Sequence, residues 1–261
     1  MFSLYDHIGL TYDTTRKADP EITRRLRKHL QVPNHHEVLD IACGTGNYTV
    51  SLEKSGLEMT GCDISQEMLN KAKRKSNSVQ WDQANVNQLP YERDTFDGIA
   101  CIMSIHHFDQ LLTPFQEAYR VLKKGRFVIF TAAPEQMNCY WLNEYFPKAM
   151  EDSAKQMPTF SLVNKKLKEA GFRIIGHETF LVQPDLQDFF LYSGKYDPKM
   201  YLDETVRSGI STFSNLASPE EVEEGCQRLR EDIRTNKIDE VISRYSSNHG
   251  DYVFVIAEKK I

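Results

Sequence analysis

Asp40, Gly44, Gly46, Asp63, Asn85 and the adjacent pair His106-His107 are the residues whose types and spacing suit chemistry. Gly44 and Gly46 follow a short apolar run, residues 38–41, that reads as a buried strand. Glycine takes positive φ at little cost, so the pair makes a tight turn in which bare backbone can lie against a ligand. Residues 49–54 read as the first turns of a helix, whose leading N–H groups lack partners within the helix. Strand, glycine turn and helix form the first βα unit of a nucleotide-binding sheet. Asp63 stands nineteen positions beyond Gly44, at the end of a second strand-like run. A carboxylate at that distance suits a ribose, because it accepts from both hydroxyls; the competing reading is a turn or cap residue. Asn85 follows a third run, and its amide both donates and accepts, which suits an adenine edge. Its competing reading is a plain turn asparagine.

The glycine pattern separates ligand classes. A dinucleotide fold wants Gly-x-Gly-x-x-Gly, and the third position from Gly44 is Thr49. The pattern Asp-x-Gly-x-Gly-x-Gly, the loop for S-adenosylmethionine (SAM), fits Asp40, Gly44 and Gly46, with Ala42 in the first glycine's place. No Gly-Lys-Ser/Thr follows, so a P-loop is excluded.

The elements that must position these residues alternate along the chain. Asp19-Pro20 starts a helix with Ile22, Leu26 and Leu30 on one face. Its Arg24, Arg25, Arg27 and Lys28 read as a solvated face. Strands are expected at 57–62, 79–82, 96–105, 126–131 and 173–182. Helices are expected after Ser65, from Thr113-Pro114, over 138–157 and over 161–170. Residues 185–249 carry no strand pattern; Ser218-Pro-Glu-Glu221 reads as a capping box opening one of several helices. A last strand, 251–257, must return to the sheet. The division is therefore a main α/β domain, residues 1–184 plus 250–261, and a helical insertion, residues 185–249, that can cover a ligand.

At 261 residues, net charge −5 and 40% hydrophobic content, the chain suits one elaborated α/β domain. Mild acidity argues against a nucleic-acid binder. Residues 1–17 hold no long apolar run, and no segment approaches the ~20 apolar residues of a membrane span. Five scattered cysteines without a Cys-x-x-Cys pair read as free thiols of a cytoplasmic protein. Cysteine and histidine spacing suits no zinc site, so no metal is expected. A monomer or homodimer fits equally.

As a set, these residues resemble the class I SAM-dependent methyltransferases. The motifs are Leu39-Asp-Ile-Ala-Cys-Gly-Thr-Gly46, Asp63-Ile-Ser65, Gln83-Ala-Asn-Val86 with Leu89-Pro90, Thr95-Phe-Asp97 and Tyr119-Arg-Val-Leu-Lys123. They cover roughly residues 36–132 and are most similar to the ubiquinone/menaquinone C-methyltransferases and the broad small-molecule group around them. The resemblance implies a Rossmann-like seven-stranded sheet with its last strand antiparallel. It implies SAM as cofactor and S-adenosylhomocysteine as its product. It implies that Ala42, Gly44, Thr45 and Gly46 hold the methionine portion, that Asp63 takes the ribose, and that Ile64 flanks the adenine. Asn85 and the Val86 amide then read the adenine edge, Ile102 meets the methionine end, and Tyr12 and Arg16 cover the cofactor. The family's Leu-Lys-Pro-Gly-Gly-Arg turn is one residue shorter here, Leu122-Lys-Lys-Gly-Arg126.

The acceptor side differs from the quinone enzymes. The sequence at Ile105-His-His107 is not theirs; it resembles natural-product and sugar O-methyltransferases, in which such a histidine is a candidate base. An imidazole with a pKa near ~6.5 suits removal of a hydroxyl or amine proton. His107 is the first choice and His106 the second. On an extended backbone adjacent side chains point to opposite sides, so only one is expected to face the crevice. The competing reading is that both are structural, one packed and one capping the next helix. Trp141, Tyr145, Phe189, Phe190, Tyr192, Tyr196 and Tyr201 are either an apolar acceptor pocket or ordinary insertion core. The expected activity is methyl transfer from SAM to a small-molecule acceptor, with oxygen, nitrogen or carbon left open. The competing readings are a non-catalytic SAM-binding protein and a nicotinamide oxidoreductase.

Overall fold

A computed structural model of the chain describes residues 12–245 and 247–260, the side chain of Tyr12 excepted. The strands are β1 Glu37–Ile41, β2 Glu58–Asp63, β3 Gln80–Gln83, β4 Phe96–Ile102, β5 Leu122–Thr131, β6 Arg173–Phe180 and β7 Tyr252–Lys259. The helices are α1 Tyr12–Thr15, α2 Pro20–Leu30, α3 Asn47–Lys54, α4 Gln66–Lys75, α5 Leu112–Val121, α6 Pro134–Met137, α7 Pro147–Gln156, α8 Phe160–Glu169, α9 Glu204–Ser208, α10 Pro219–Arg234 and α11 Ile238–Arg244. One seven-stranded sheet forms in the order β3-β2-β1-β4-β5-β7-β6. The strands from β3 to β5 pair in parallel, and β7 runs antiparallel to both its neighbours. The sheet is that of a class I methyltransferase, as expected.

Alternation along the central strands explains the layers. Val128 and Phe130 of β5 join one apolar cluster, while Phe127 and Ile129 join the other. Phe254 and Ile256 of β7 divide from Val253 and Val255 in the same way. A strand buried on both faces reads as a continuous apolar run, which is why these strands stand out in the sequence. The α2 residues Ile22, Leu26 and Leu30 are fully buried, each worth about 1.5–3 kcal/mol. Asp19 caps α2 by accepting from the Glu21 and Ile22 N–H groups.

Several local expectations need correction. Strand four ends at Ile102 rather than 105, because Met103 turns into the left-handed region at φ +51. The shortened Leu122–Arg126 turn is strand instead: β5 begins at Leu122 and its pairing with β4 shifts register between Phe96 and Gly98. Residues 138–157 are not one helix, since Pro147 opens α7 and a 3₁₀ turn, Trp141–Glu144, precedes it. The basic face of α2 is not wholly solvated, because Arg25 and Lys28 reach Glu178 of edge strand β6 at 3.1 and 3.2 Å. Ser218 does cap α10, accepting from Glu221 N. The Glu221 carboxylate leaves that box, however, and accepts from the Lys148 and Ala149 N–H groups at the start of α7.

That last contact shows how the cap over the sheet is built. Residues 134–157 pack with residues beyond β6 in one apolar cluster, so the cap draws on two segments rather than on residues 185–249 alone. Helix α10 lies so close to residues 145 and 146 that a Cβ on Gly225 would stand 2.5 Å from the Tyr145 carbonyl oxygen. Gly225→Ala should therefore overpack this contact and lower stability by about 1–3 kcal/mol. Thermal unfolding checks this, with Gly176→Ala, where a Cβ meets nothing, as the control.

Candidate active site

At the carboxyl ends of the strands lies a cavity of about 310 Å3. One end is the turn after β1. Gly44 and Gly46 hold φ at +56 and +74, and Ala42 sits at +54. An alanine in that region is strained, which is the physical reason a glycine is usual there. Across the turn, the Asp63 carboxylate accepts from Gly44 N at 2.8 Å and from Ser65 N at 2.9 Å. With about four lone-pair sites, the carboxylate keeps capacity for a further donor. Burial raises the Asp63 pKa, and the Ser65, Gly44 and Ile64 N–H groups oppose that.

Asp40, at the end of β1, is a site residue that the sequence reading used only as a pattern anchor. Its Oδ2 accepts from Thr49 Oγ1 at 2.6 Å. The residue that breaks the dinucleotide pattern is thus the one that fixes this carboxylate. Asp40 Oδ1 is buried with no hydrogen-bond partner, and the residue lines the cavity. Burial pushes its pKa up to about 7. An orphaned carboxylate oxygen beside a glycine turn fits the ammonium group of an amino-acid tail.

The other expected cofactor residues divide by environment. Ile64 leaves 60% of its surface exposed and lines the cavity with Val86 and Ile102. Asn85 also lines it, but its Oδ1 already accepts from Asn87 N at 2.9 Å, the turn role that the sequence left open. Thr45 is buried, and its hydroxyl donates to Asp13 Oδ1 at 2.7 Å. Lys75 Nζ bonds Asp13, Thr45 and Asn47 together, fastening α1 to the glycine turn. Arg16 faces the cavity while its Nε donates to Asp188 Oδ1 at 2.5 Å; Tyr48 OH donates to Asp188 Oδ2 at 3.0 Å. Asp188 is nearly fully buried and belongs to the cap, so this contact ties the leader, α3 and the cap together. No sequence signal marks it, because its partners lie far apart in the chain. Tyr12's backbone begins α1, and its side chain lies outside the described residues.

The two histidines do not point to opposite sides. Ile105–His107 is a 3₁₀ turn, not extended strand, and both rings line the cavity with centroids 3.8 Å apart. The Met103 kink puts them there. Ser104 fixes the kink by donating to the Ala42 carbonyl at 2.9 Å. Burial drives the His106 pKa well below the ordinary histidine value, and the neighbouring His107 and Arg16 add to this. His107 is exposed through the cavity mouth, yet the surrounding protein still lowers its pKa to about 4. A base near ~6.5 is therefore not what the structure offers; both rings are neutral at pH 7.

Of the seven cap aromatics, Phe190 lines the cavity. Trp141, Tyr145, Tyr192 and Tyr201 are buried among themselves, Phe189 packs against that core, and Tyr196 is exposed. Tyr140 and Tyr252, outside the expected set, line the cavity instead. Among the described residues no three His, Cys, Asp or Glu side chains stand close enough to hold a metal, and no helix is long and apolar enough to cross a membrane. The cysteines among them are free thiols.

Residues 39–130 match the family model described as a methyltransferase domain. A solved structure from Anabaena variabilis, described as a methyltransferase of an antibiotic-biosynthesis pathway, is 30% identical with a TM-score of 0.82; the match covers 94% of this chain and 99% of that one. A demethylmenaquinone methyltransferase from Oceanobacillus iheyensis is 29% identical over 189 residues, 67% of this chain and 76% of the relative. A geranyl diphosphate C-methyltransferase from Streptomyces coelicolor, solved with S-adenosylhomocysteine, shares the fold at 14% identity, with a TM-score of 0.57 and coverage of 92% and 76%. With a SAM-type glycine turn, an acidic residue closing β2 and this sheet order already in place, the chain belongs to the class I SAM-dependent methyltransferases and is an enzyme of that family.

Proposed function

We propose that the enzyme transfers the methyl group of SAM to a small-molecule acceptor held under the cap, with a hydroxyl as the foremost acceptor group. The observation that carries this is one continuous cavity running from the Gly44–Asp63 hydrogen bond to the histidine pair. The residues at its first end fit the cofactor. Asp63 would accept from the ribose hydroxyls, and Ile64 and Val86 would sandwich the adenine. Asn85 would meet the base through its amide nitrogen, since its oxygen is engaged by Asn87. Ala42, Gly44, Thr45, Gly46 and Ile102 would surround the methionine portion. Asp40 would take its ammonium, and Arg16 would lie over the carboxylate end. Bound there, SAM supplies a methyl group on an already activated sulfur.

The chain then has to position the acceptor, exclude water and handle one proton. The cap supplies the walls. A neutral imidazole of His107, or of His106 behind it, accepts the hydroxyl proton as the acceptor oxygen attacks. The low pKa keeps that nitrogen unprotonated across neutral pH, at the cost of driving force for the transfer. The resulting cation then passes its proton to solvent through the mouth at which His107 is exposed.

Asp63→Asn removes the charge and leaves one acceptor oxygen where Gly44 N and Ser65 N now have two, so calorimetry should find SAM affinity weakened about 10- to 100-fold, the worth of charge-assisted hydrogen bonds. Unchanged affinity would remove Asp63 from the ribose site. Once an acceptor is in hand, His107→Gln should cut kcat by about 10²–10⁴ while leaving SAM affinity in place; full activity would reject it as proton acceptor. The pH dependence has a definite sign. An unfolded-state histidine titrates near ~6.5, and His107 in the folded state near about 4. The unfolded chain binds the extra proton in between, so the His107 contribution to stability is whole above ~6.5 and fades as pH falls toward 4. In urea unfolding the wild type should lose stability relative to His107→Gln as the pH drops from 7.5 to 4.5; a constant difference would contradict this.

A further inference from the structure

We propose that the acceptor is an uncharged, mainly apolar molecule, and that Met157, Phe190 and Ile210 of the cap form its binding wall. The inference rests on the methyltransferase reading and names the substrate class of that same site. It follows from where charge stands around the cavity. Among the described lining residues the fixed cation is Arg16, against four carboxylates: Asp40, Asp63, Asp109 and Asp188. Asp40 and Asp63 belong to the cofactor end. Arg16 is engaged by Asp188 at 2.5 Å. Every other lining residue that follows β5 is uncharged.

Part of the polar surface that these later residues bring is already spent, and the wall between is apolar. Met157, Phe190 and Ile210 are buried side chains, together with Tyr140. Tyr140 OH donates to the Asp251 carbonyl. Ser153 and Thr212, both buried and both lining the cavity, bond each other at 2.9 Å. An anionic acceptor entering this space would give up its hydration and meet no free cation on the cap side. Asp109, exposed at the mouth, would repel it further. A neutral aromatic or aliphatic body loses nothing comparable and gains from leaving water. The polar groups toward the reacting end include the two neutral imidazoles, and the Gln156, Ser211 and Tyr252 side chains that also line the cavity are uncharged; such a set suits a hydroxyl rather than a carboxylate or phosphate.

The test uses the full chain loaded with S-adenosylhomocysteine and three probes of one size: a naphthol, the matching naphthyl phosphate and the matching naphthoic acid. Ligand-observed NMR at neutral pH should find the naphthol bound at least about tenfold more tightly than either anion. Ile210→Trp should abolish naphthol binding while S-adenosylhomocysteine affinity, read by calorimetry, stays within about twofold. Met157→Arg should reverse the preference by giving the anions a partner. Because retained nucleoside affinity reports a folded protein, a disrupted variant is recognised, and the wild-type ranking stands without any variant. Equal or tighter binding of the phosphate or carboxylate by wild type would overturn the inference, as would naphthol binding unaffected by Ile210→Trp. A folded wild type that takes no S-adenosylhomocysteine would overturn the cofactor reading itself, a separate result read before any probe is added.

Discussion

The hydrogen bond from Gly44 N to Asp63 carries the β1–β2 pairing into the two loops beyond it, past the last backbone contact from Cys43 N to the Cys62 carbonyl. One leaves β1 and the other leaves β2, and the strands stay paired to Ile41 and Cys62 before the loops part. A carboxylate that accepts from both Gly44 and Ser65 makes the glycine turn and the start of α4 one rigid edge. The same carboxylate retains capacity for a further donor. Structural and binding demands are thus met by different lone pairs of one group. Asp40 repeats the arrangement one strand away, with one oxygen held by Thr49 and the other without a partner. Such half-satisfied buried carboxylates are expensive in an isolated fold and make sense beside a ligand that completes them.

The second constraint is closure over that edge. Asp188 comes from the cap, Arg16 from the leader and Tyr48 from α3, and all three meet in one buried cluster. Water exclusion, which methyl transfer requires, is therefore not the work of the cap alone. The cap in turn is anchored by Glu221 at the start of α7 and by the close seat of α10 on residues 145 and 146. His106 pays for this enclosure. The walls of the cavity withdraw solvent from His106, whose pKa falls well below the ordinary histidine value, while His107 beside it keeps an exposed side chain.

What the sequence made legible follows from how local each signal is. Asp19 before Pro20, Ser65 before α4 and the apolar run of β1 act within a few residues, so their elements emerge at nearly the right bounds, whereas the apolar runs of β4 and β5 gave the strands but missed one end of each by three or four residues. Asp63 was legible as well, because its distance from Gly44 is set by one strand–helix–strand unit. Asp188 and the Tyr140–Tyr252 wall were not, since they depend on how segments more than a hundred residues apart come together. Met103 was hidden for another reason: nothing in its side chain announces a left-handed backbone, and that one residue turns the histidines from an alternating pair into a facing one. Glu221 had the right local pattern for a capping box and was drawn instead to the exposed N–H groups of α7, a tertiary contact outweighing a local one.

The central claim is that the cavity is built for a sulfonium nucleoside. Calorimetry of the folded wild-type chain with S-adenosylhomocysteine and, separately, with NAD tests it most directly. The account predicts a saturable one-to-one heat with the nucleoside, in the micromolar range typical of a preformed pocket, on the order of −8 kcal/mol, and none with the dinucleotide. Saturable binding of NAD with no heat from S-adenosylhomocysteine or SAM would contradict it.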